Sequence, residues 1–239
     1  DLTDGVGGPR DRQLVYGDSI TVLGRTEKHA LIRASKDGYC GTVPIESFGP
    51  VRETTHIVTA RAAHAYEAAD FKSRDRVLLS FGSQLTAISE TPTFIETELG
   101  FISRQHVGPR DALATDPAAL AEIFLGTPYL WGGNSCLGID CSGLVQAAWL
   151  SCCLPCPGDS DLQASQLGAR LDEAAPLRRN DLIFWKGHVA LVVDEETLIH
   201  ANAHHMSVVY EPIFAAIRRI EQQGDGKPTV RKREESLAR

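Results

Sequence analysis

Three residues have the types and surroundings of a nucleophilic site. Cys141 stands in Asp140-Cys141-Ser142-Gly143, just before a stretch in which Leu144, Val145, Ala148 and Trp149 share one apolar helical face. A helix over 142–150 aims its partial positive charge and its unpaired N–H groups at residue 141. That setting stabilises a thiolate and offers donors to an oxyanion. A cysteine so placed is more often merely buried, and a nearby base changes the odds. His188 opens the run Val189-Ala190-Leu191-Val192-Val193, and His200 lies in the next run, Leu198-Ile199-His200-Ala201. A loop centred on Asp194 sets the two imidazoles opposite each other. A tight loop over 194–197 instead sets His200 opposite Leu191 and demands a bulge. If the two rings meet, His188 is the base and His200 the group that orients it.

Other constellations carry weaker signals. Cys153-Leu154-Pro155-Cys156 is a single C-x-x-C. A zinc site drawn from it with Cys136 and Cys141 would bury the nucleophile, and as a redox motif it follows a helix instead of opening one. Cys152 and Cys153 read as small hydrophobes at the helix end. Trp131 and Trp185 read as core, His204 and His205 as surface, and His29, His56, His64 and His106 as structural. The run Arg231-Lys232-Arg233 reads as a solvated tail.

These residues need elements to hold them. The first ~108 residues read as short strands broken by Gly17-Asp18, Gly24 and Lys36-Asp37-Gly38. "VYGDSITVL" near 15–23 parallels "SFGSQLTAI" near 80–88, and "DGYCGTVPIESF" parallels "LGFISRQHV". A β-rich repeat of this kind fits two small barrels. Beyond Val107-Gly108-Pro109-Arg110, Asp116-Pro117 opens a helix with an acidic cap and a first-turn proline. The helix after Cys141 follows, then strands from Asp181 to Tyr210, a late helix over Glu211–Ile220, and a polar tail from Gly224. Helices first and an antiparallel sheet later make an α+β plan.

Of 239 residues, 24 are Lys or Arg and 31 are Asp or Glu, a net charge of 24 − 31 = −7. With 43% apolar residues the chain can bury a core. Its acidity argues against nucleic acid or an anionic membrane as partner. No apolar run reaches the roughly 18–20 residues of a membrane span. The start, Asp1-Leu2-Thr3-Asp4-Gly5, carries no basic region followed by an apolar stretch, and five of six cysteines crowd between 136 and 156. Crowded thiols in a chain of this size point to a reducing, cytoplasmic setting.

The segments "PYLWGGNSCLGIDCSGLVQ", "LRRNDLIFWKGHVALVVD" and "LIHANA" resemble the NlpC/P60 family of papain-like cysteine peptidases across about residues 112–215. Tyr129, Gly132, Asp140-Cys141-Ser142-Gly143, Asp181-Leu182, Gly187-His188 and His200 carry the likeness. The family's Cys, His and third polar residue map onto Cys141, His188 and His200. The β repeats resemble bacterial SH3 (SH3b) domains. The resemblance implies SH3b domains at 1–50, lacking its opening strand, and at 51–109, a peptidase domain at 110–223, and a charged tail at 224–239. It further implies a γ-D-glutamyl-diamino acid endopeptidase that needs no metal or other cofactor. Its substrate is a small murein peptide with a free L-Ala amine, cleaved in cell-wall recycling. Asp18, Tyr39 and Asp140 are the implied amine ligands, and Ser142 and Ser160 further substrate contacts. Ser160 lies in Gly-Asp-Ser where the family has Arg-Asp-Ser. Tyr129 adds its hydroxyl to the oxyanion site. The alternatives are a wall-binding module with an inactive papain-like domain, or an amidase or acyltransferase on the same fold.

Overall fold

The computed structural model describes residues 1–112 and 114–237. The chain forms two compact units: Asp1–Ala112 together with Asn134–Leu137, and the remaining described residues.

The first unit is all β. Strands β1 (Leu2–Thr3), β2 (Arg10–Arg12), β3 (Ile20–Arg25), β4 (His29–Ala34) and β5 (Cys40–Pro44) form one sheet in the order β2-β1-β5-β4-β3. Alternation in β4 turns Ala30, Ile32 and Ala34 inward, where Leu2 and Val43 join Ala30 and Ile32 in a small core. The second half contains β6 (His56–Val58), β7 (Ala62–Tyr66), β8 (Asp75–Ser80), β9 (Gln84–Leu85), β10 (Ala87–Glu90), β11 (Phe94–Thr97), β12 (Gly100–Ser103) and β13 (Val107–Pro109). They make sheets of order β10-β11-β12-β7-β8 and β13-β6-β9 around a core that includes Val58, Leu79, Leu85, Ile95 and Ile102. The halves meet where Gln84 N–H donates to the Tyr16 carbonyl at 2.8 Å. Gly17, at φ +85°, passes so close to Gln84 that a side chain there would collide with its carbonyl. Among the described residues of this unit the strands group into three sheets, and no closed barrel is found where two small barrels were expected.

The second unit begins with α1 (Pro117–Glu122), capped by Asp116, whose side chain accepts from Ala119 N–H. The short strands β14 (Asn134–Ser135), grouped with the first unit, and β15 (Gly138–Ile139) precede α2 (Cys141–Ser151) and α3 (Ser160–Gln166). Then come β16 (Ala169–Arg170), β17 (Leu182–Trp185), β18 (His188–Val192), β19 (Thr197–Asn202), β20 (Ser207–Pro212), α4 (Ile213–Gln223) and β21 (Val230–Arg233). The six strands form one sheet in the order β16-β21-β17-β18-β19-β20. Ile213, Ala216 and Ile220 of α4 pack on Ile183, Trp185, Ala190, Val192 and Leu198 of the sheet. The unit is α+β, with helices leading into an antiparallel sheet.

The C-terminal segment departs from the reading of it as a solvated charged tail. Val230–Arg233 is a strand inserted between β16 and β17, with Arg231 facing Ile183 and Lys232 facing Leu182. Its four residues are all half-buried, and two of its cations are bound to backbone, Arg231 Nη1 donating to the Glu173 carbonyl at 2.8 Å and Lys232 Nζ to that of Gly168 at 3.4 Å. Arg233 closes a bidentate pair with Asp181, both contacts at 2.7 Å.

Candidate active site

Cys141 is the first residue of α2 and is 7% exposed. Asp140 caps the helix. Its Oδ1 accepts from Gly143 N–H at 2.6 Å and from the Ser142 hydroxyl at 3.1 Å, and its Oδ2 accepts from Gly132 N–H at 3.0 Å. Gly132 reaches it with φ +68°, a conformation that favours glycine. One carboxylate thus fixes the helix mouth and the loop that precedes it.

The half-buried Tyr129 lies on that preceding segment, and its N–H donates to the Met206 carbonyl at 2.9 Å. Burial, reinforced by negative charge on Cys141 and Asp140, pushes its hydroxyl up to about 12. Tyr129 therefore keeps its proton at neutral pH and remains a hydrogen-bond donor.

A two-residue turn, Lys186-Gly187, joins β17 to β18 with Trp185 opposite His188. Gly187 supplies the positive φ, +70°, that this turn requires. The β18–β19 register pairs Leu191 with Ile199 and Val192 with Leu198. Continued, it sets Asn202 opposite His188, so His200 lies on the diagonal of the same face. The two rings meet there, His188 Nε2 to His200 Nδ1, at 3.0 Å. Neither loop considered from sequence has this register, and no bulge is needed, because a diagonal pair is within reach of two imidazoles. α2 packs against β18 and β19, the strands that carry both rings.

Burial, with His200 and Arg219 as positive neighbours, drives the His188 imidazole down to about 3. Burial also lowers His200, against the pull of Glu211. Both rings therefore rest neutral at pH 7. Burial thus disfavours an imidazolium at His188 in the resting protein.

Two partners escaped the sequence reading. His200 Nε2 lies 3.0 Å from Glu211 Oε2, and Arg219 grips the same carboxylate, Nε to Oε1 at 2.9 Å and Nη2 to Oε2 at 2.7 Å. Glu211 looked like the start of the late helix, yet it belongs to β20, and α4 begins two residues later. The signal lay in the hairpin. A turn at 203–206 pairs His200 with Val209 and Leu198 with Glu211, which places Glu211 on the face of His200.

The other expected contacts have internal partners. Ser142 is bound to Asp140, and the buried Ser160 opens α3 with its hydroxyl 3.4 Å from Asp161. In the first unit, Asp18 Oδ2 takes Lys36 Nζ at 2.7 Å and Val15 N–H at 3.0 Å. Tyr39 flanks the small core, with the Arg12 guanidinium 5.8 Å from its ring centre. Trp131 is 70% exposed instead of core, whereas Trp185 is buried. All six cysteines are free thiols. Among the described residues one trio, His200, His205 and Glu211, brings ligand atoms within 4.8 Å of one another, but Arg219 already holds that carboxylate.

The chain resembles known proteins in both of its units. The profile of the NlpC/P60 family matches residues 126–227, and that of the bacterial dipeptidyl-peptidase Sh3 domain matches residues 4–48. Dipeptidyl-peptidase 6 of Lysinibacillus sphaericus is 27% identical over 223 residues, covering 80% of this chain and 79% of that protein. Gamma-D-glutamyl-L-lysine dipeptidyl-peptidase of Bacillus subtilis is 25% identical over 242 residues, covering 87% and 80%. A probable endopeptidase of Haemophilus influenzae is 32% identical over 113 residues, covering 40% and 67%. The crystal structure of an NlpC/P60 family protein from Bacillus cereus superposes with a TM-score of 0.77 at 23% identity, covering 93% of this chain and 81% of that one.

Proposed function

Because the chain belongs to the NlpC/P60 family of cysteine peptidases, with a bacterial SH3 domain before the peptidase domain, we propose that it hydrolyses the γ-D-glutamyl bond to a diamino acid in murein peptides bearing a free N-terminal L-Ala. The name of the Bacillus subtilis relative, which aligns over 80% of its length, supports this substrate class. A role in recycling wall peptides in the cytoplasm belongs to the same reading. Residues 51–109 are read as a second SH3b-like module, on the strength of their internal sequence parallel to the first.

The observation that carries the peptidase chemistry is the hydrogen-bonded pair of neutral imidazoles, half-buried His188 and buried His200, on the strands beneath the capped helix of Cys141. His188 takes the thiol proton as Cys141 attacks the γ-glutamyl carbonyl. The negative charge passes to the carbonyl oxygen, which the Cys141 N–H and the protonated Tyr129 hydroxyl stabilise. His188 then returns its proton to the leaving amine, and the thioester remains. Water, deprotonated by His188, attacks the thioester and releases the acid and the thiol. No step in this scheme calls on a metal.

The test is hydrolysis of L-Ala-γ-D-Glu-diamino acid peptides by the wild type and by Cys141→Ala, with thermal unfolding of both. Turnover should vanish in the variant and the unfolding temperature should hold. Retained turnover would refute the assignment. Binding to intact sacculi without hydrolysis of soluble peptide would favour a wall-binding module instead.

A further inference from the structure

Resting on the peptidase reading above, we infer that Glu211, clamped by Arg219, dictates which nitrogen of each imidazole carries the proton and thereby keeps Nδ1 of His188 unprotonated, as a base requires. Glu211 is thus a positioning residue that acts through His200.

The argument runs along the hydrogen bonds. Burial alone would raise the Glu211 carboxyl. Hydrogen bonds from Arg219 and His200 outweigh it and hold the group well below the ordinary carboxylate range. An ionised carboxylate only accepts. The contact between Glu211 Oε2 and His200 Nε2 therefore needs the proton on Nε2. A neutral His200 protonated there has a bare Nδ1, which can only accept. The group facing it at 3.0 Å is His188 Nε2, which must then be the donor. Neutral His188 has spent its one ring proton on that bond, and its Nδ1 is left as a lone pair.

The inverted chain, with protons on both Nδ1 atoms, would set the lone pair of His200 Nε2 against the carboxylate oxygen. Two acceptors at 3.0 Å repel, so Glu211 excludes that state. In the reaction the S–H bond of Cys141 breaks and an N–H bond forms at His188 Nδ1. The proton on Nε2 stays in its bond to His200, and Glu211 offsets the transient positive charge through the relay. Nδ1 then gives up its proton to the leaving amine, and the resting arrangement returns.

Glu211→Gln tests this with nearly unchanged shape. Arg219 donates to both carboxylate oxygens, so an amide sets its NH2 against a guanidinium N–H in either orientation and no longer fixes an acceptor on His200 Nε2; wherever the NH2 faces that nitrogen, both tautomers invert. The expected result is a fall in kcat of at least about 100-fold, as for the acid-to-amide change in a serine triad, with KM changed less than about threefold. Releasing the clamp in Glu211→Gln/Arg219→Gln lets the amide turn its oxygen to His200 and should restore kcat at least tenfold over the single variant. Imidazole 15N spectra of the whole wild-type chain should show His200 protonated at Nε2, and those of Glu211→Gln should show it protonated at Nδ1.

A wild-type His200 protonated at Nδ1, a single variant within threefold of wild-type kcat, or a double variant no better than the single would each overturn the inference. The spectra need no turnover. Failure of wild-type hydrolysis would sink the peptidase reading, while the nitrogens would still decide where the protons sit.

Discussion

At the scale of single residues, the candidate site sets the half-buried His188 imidazole against the buried one of His200, and both rest neutral. In the unfolded chain both ionise below about pH 6.5. In the folded chain burial lowers both, His188 to about 3. Between these limits the unfolded state binds more protons, so stability must rise with pH there. The contribution is complete above about pH 6.5 and shrinks as the pH falls, by up to about 1.4 kcal/mol per pH unit for each ring. Glu211 acts in a lower window, since its depressed carboxyl adds stability above its ordinary range and loses it only in stronger acid. Denaturant unfolding should therefore stay level from pH 7.5 to about pH 6.5 and decline below it, and a profile that stays flat down to about pH 5 would contradict rings held neutral in the folded chain. The positions of Cys141 at a helix start and His188 at a strand start were legible in the sequence, because local pattern marks both. Glu211 was not, because its role depends on the β19–β20 pairing and its neighbours, Pro212 and Ile213, resemble a helix entry.

At the scale of elements, β18 and β19 show what pattern can and cannot specify. Their apolar runs announce two buried strands, but the register rests on the turn. Asp194 Oδ1 accepts from Glu196 N–H at 2.9 Å and Thr197 N–H at 2.8 Å, which fixes that turn and puts His200 on the diagonal of His188. The terminal strand β21 was illegible for a different reason. Val230-Arg231-Lys232-Arg233 has no apolar alternation, so its place in the sheet depends on long stems and on the acid it meets. That acid, Asp181, is 1% exposed and also accepts from Arg178 N–H at 2.8 Å. Arg233→Met keeps the stem and removes the charge, stranding a buried carboxylate at a cost of about 3–5 kcal/mol. Urea unfolding should register that loss, and Asp181→Asn in the same background should recover part of it. A loss below about 1 kcal/mol, the range of a surface pair, would mean that β21 holds its place by backbone bonds alone.

At the scale of the whole molecule, the question is what the β unit contributes to an enzyme whose reacting groups all lie in the other unit. The succession of β unit and α+β unit was legible in the sequence, since periodicity and turn residues change at Gly108-Pro109. Closure into barrels was not, because strand patterns report which face is buried and not whether a sheet's edges meet. The implied amine ligands test the contribution directly. A cationic amine needs an acid with charge to spare, and Asp18 has little. Its side chain is 8% exposed, that of Lys36 19%, and the two are paired at 2.7 Å. Asp18→Asn should then cost the β unit about 1–3 kcal/mol, between the values for exposed and fully buried pairs, by leaving Lys36 without its partner. It should leave unchanged the proposed preference for L-Ala-γ-D-Glu-diamino acid over the same peptide N-acetylated. The measurement is kcat/KM for both peptides in the wild type, Asp18→Asn and Tyr39→Phe. If the preference collapses in Asp18→Asn while unfolding is unaltered, the carboxylate reads the amine and its bond to Lys36 is exchanged for one to substrate. If the wild type cleaves both peptides equally, the proposed free-amine requirement is refuted, and the β unit needs a different explanation.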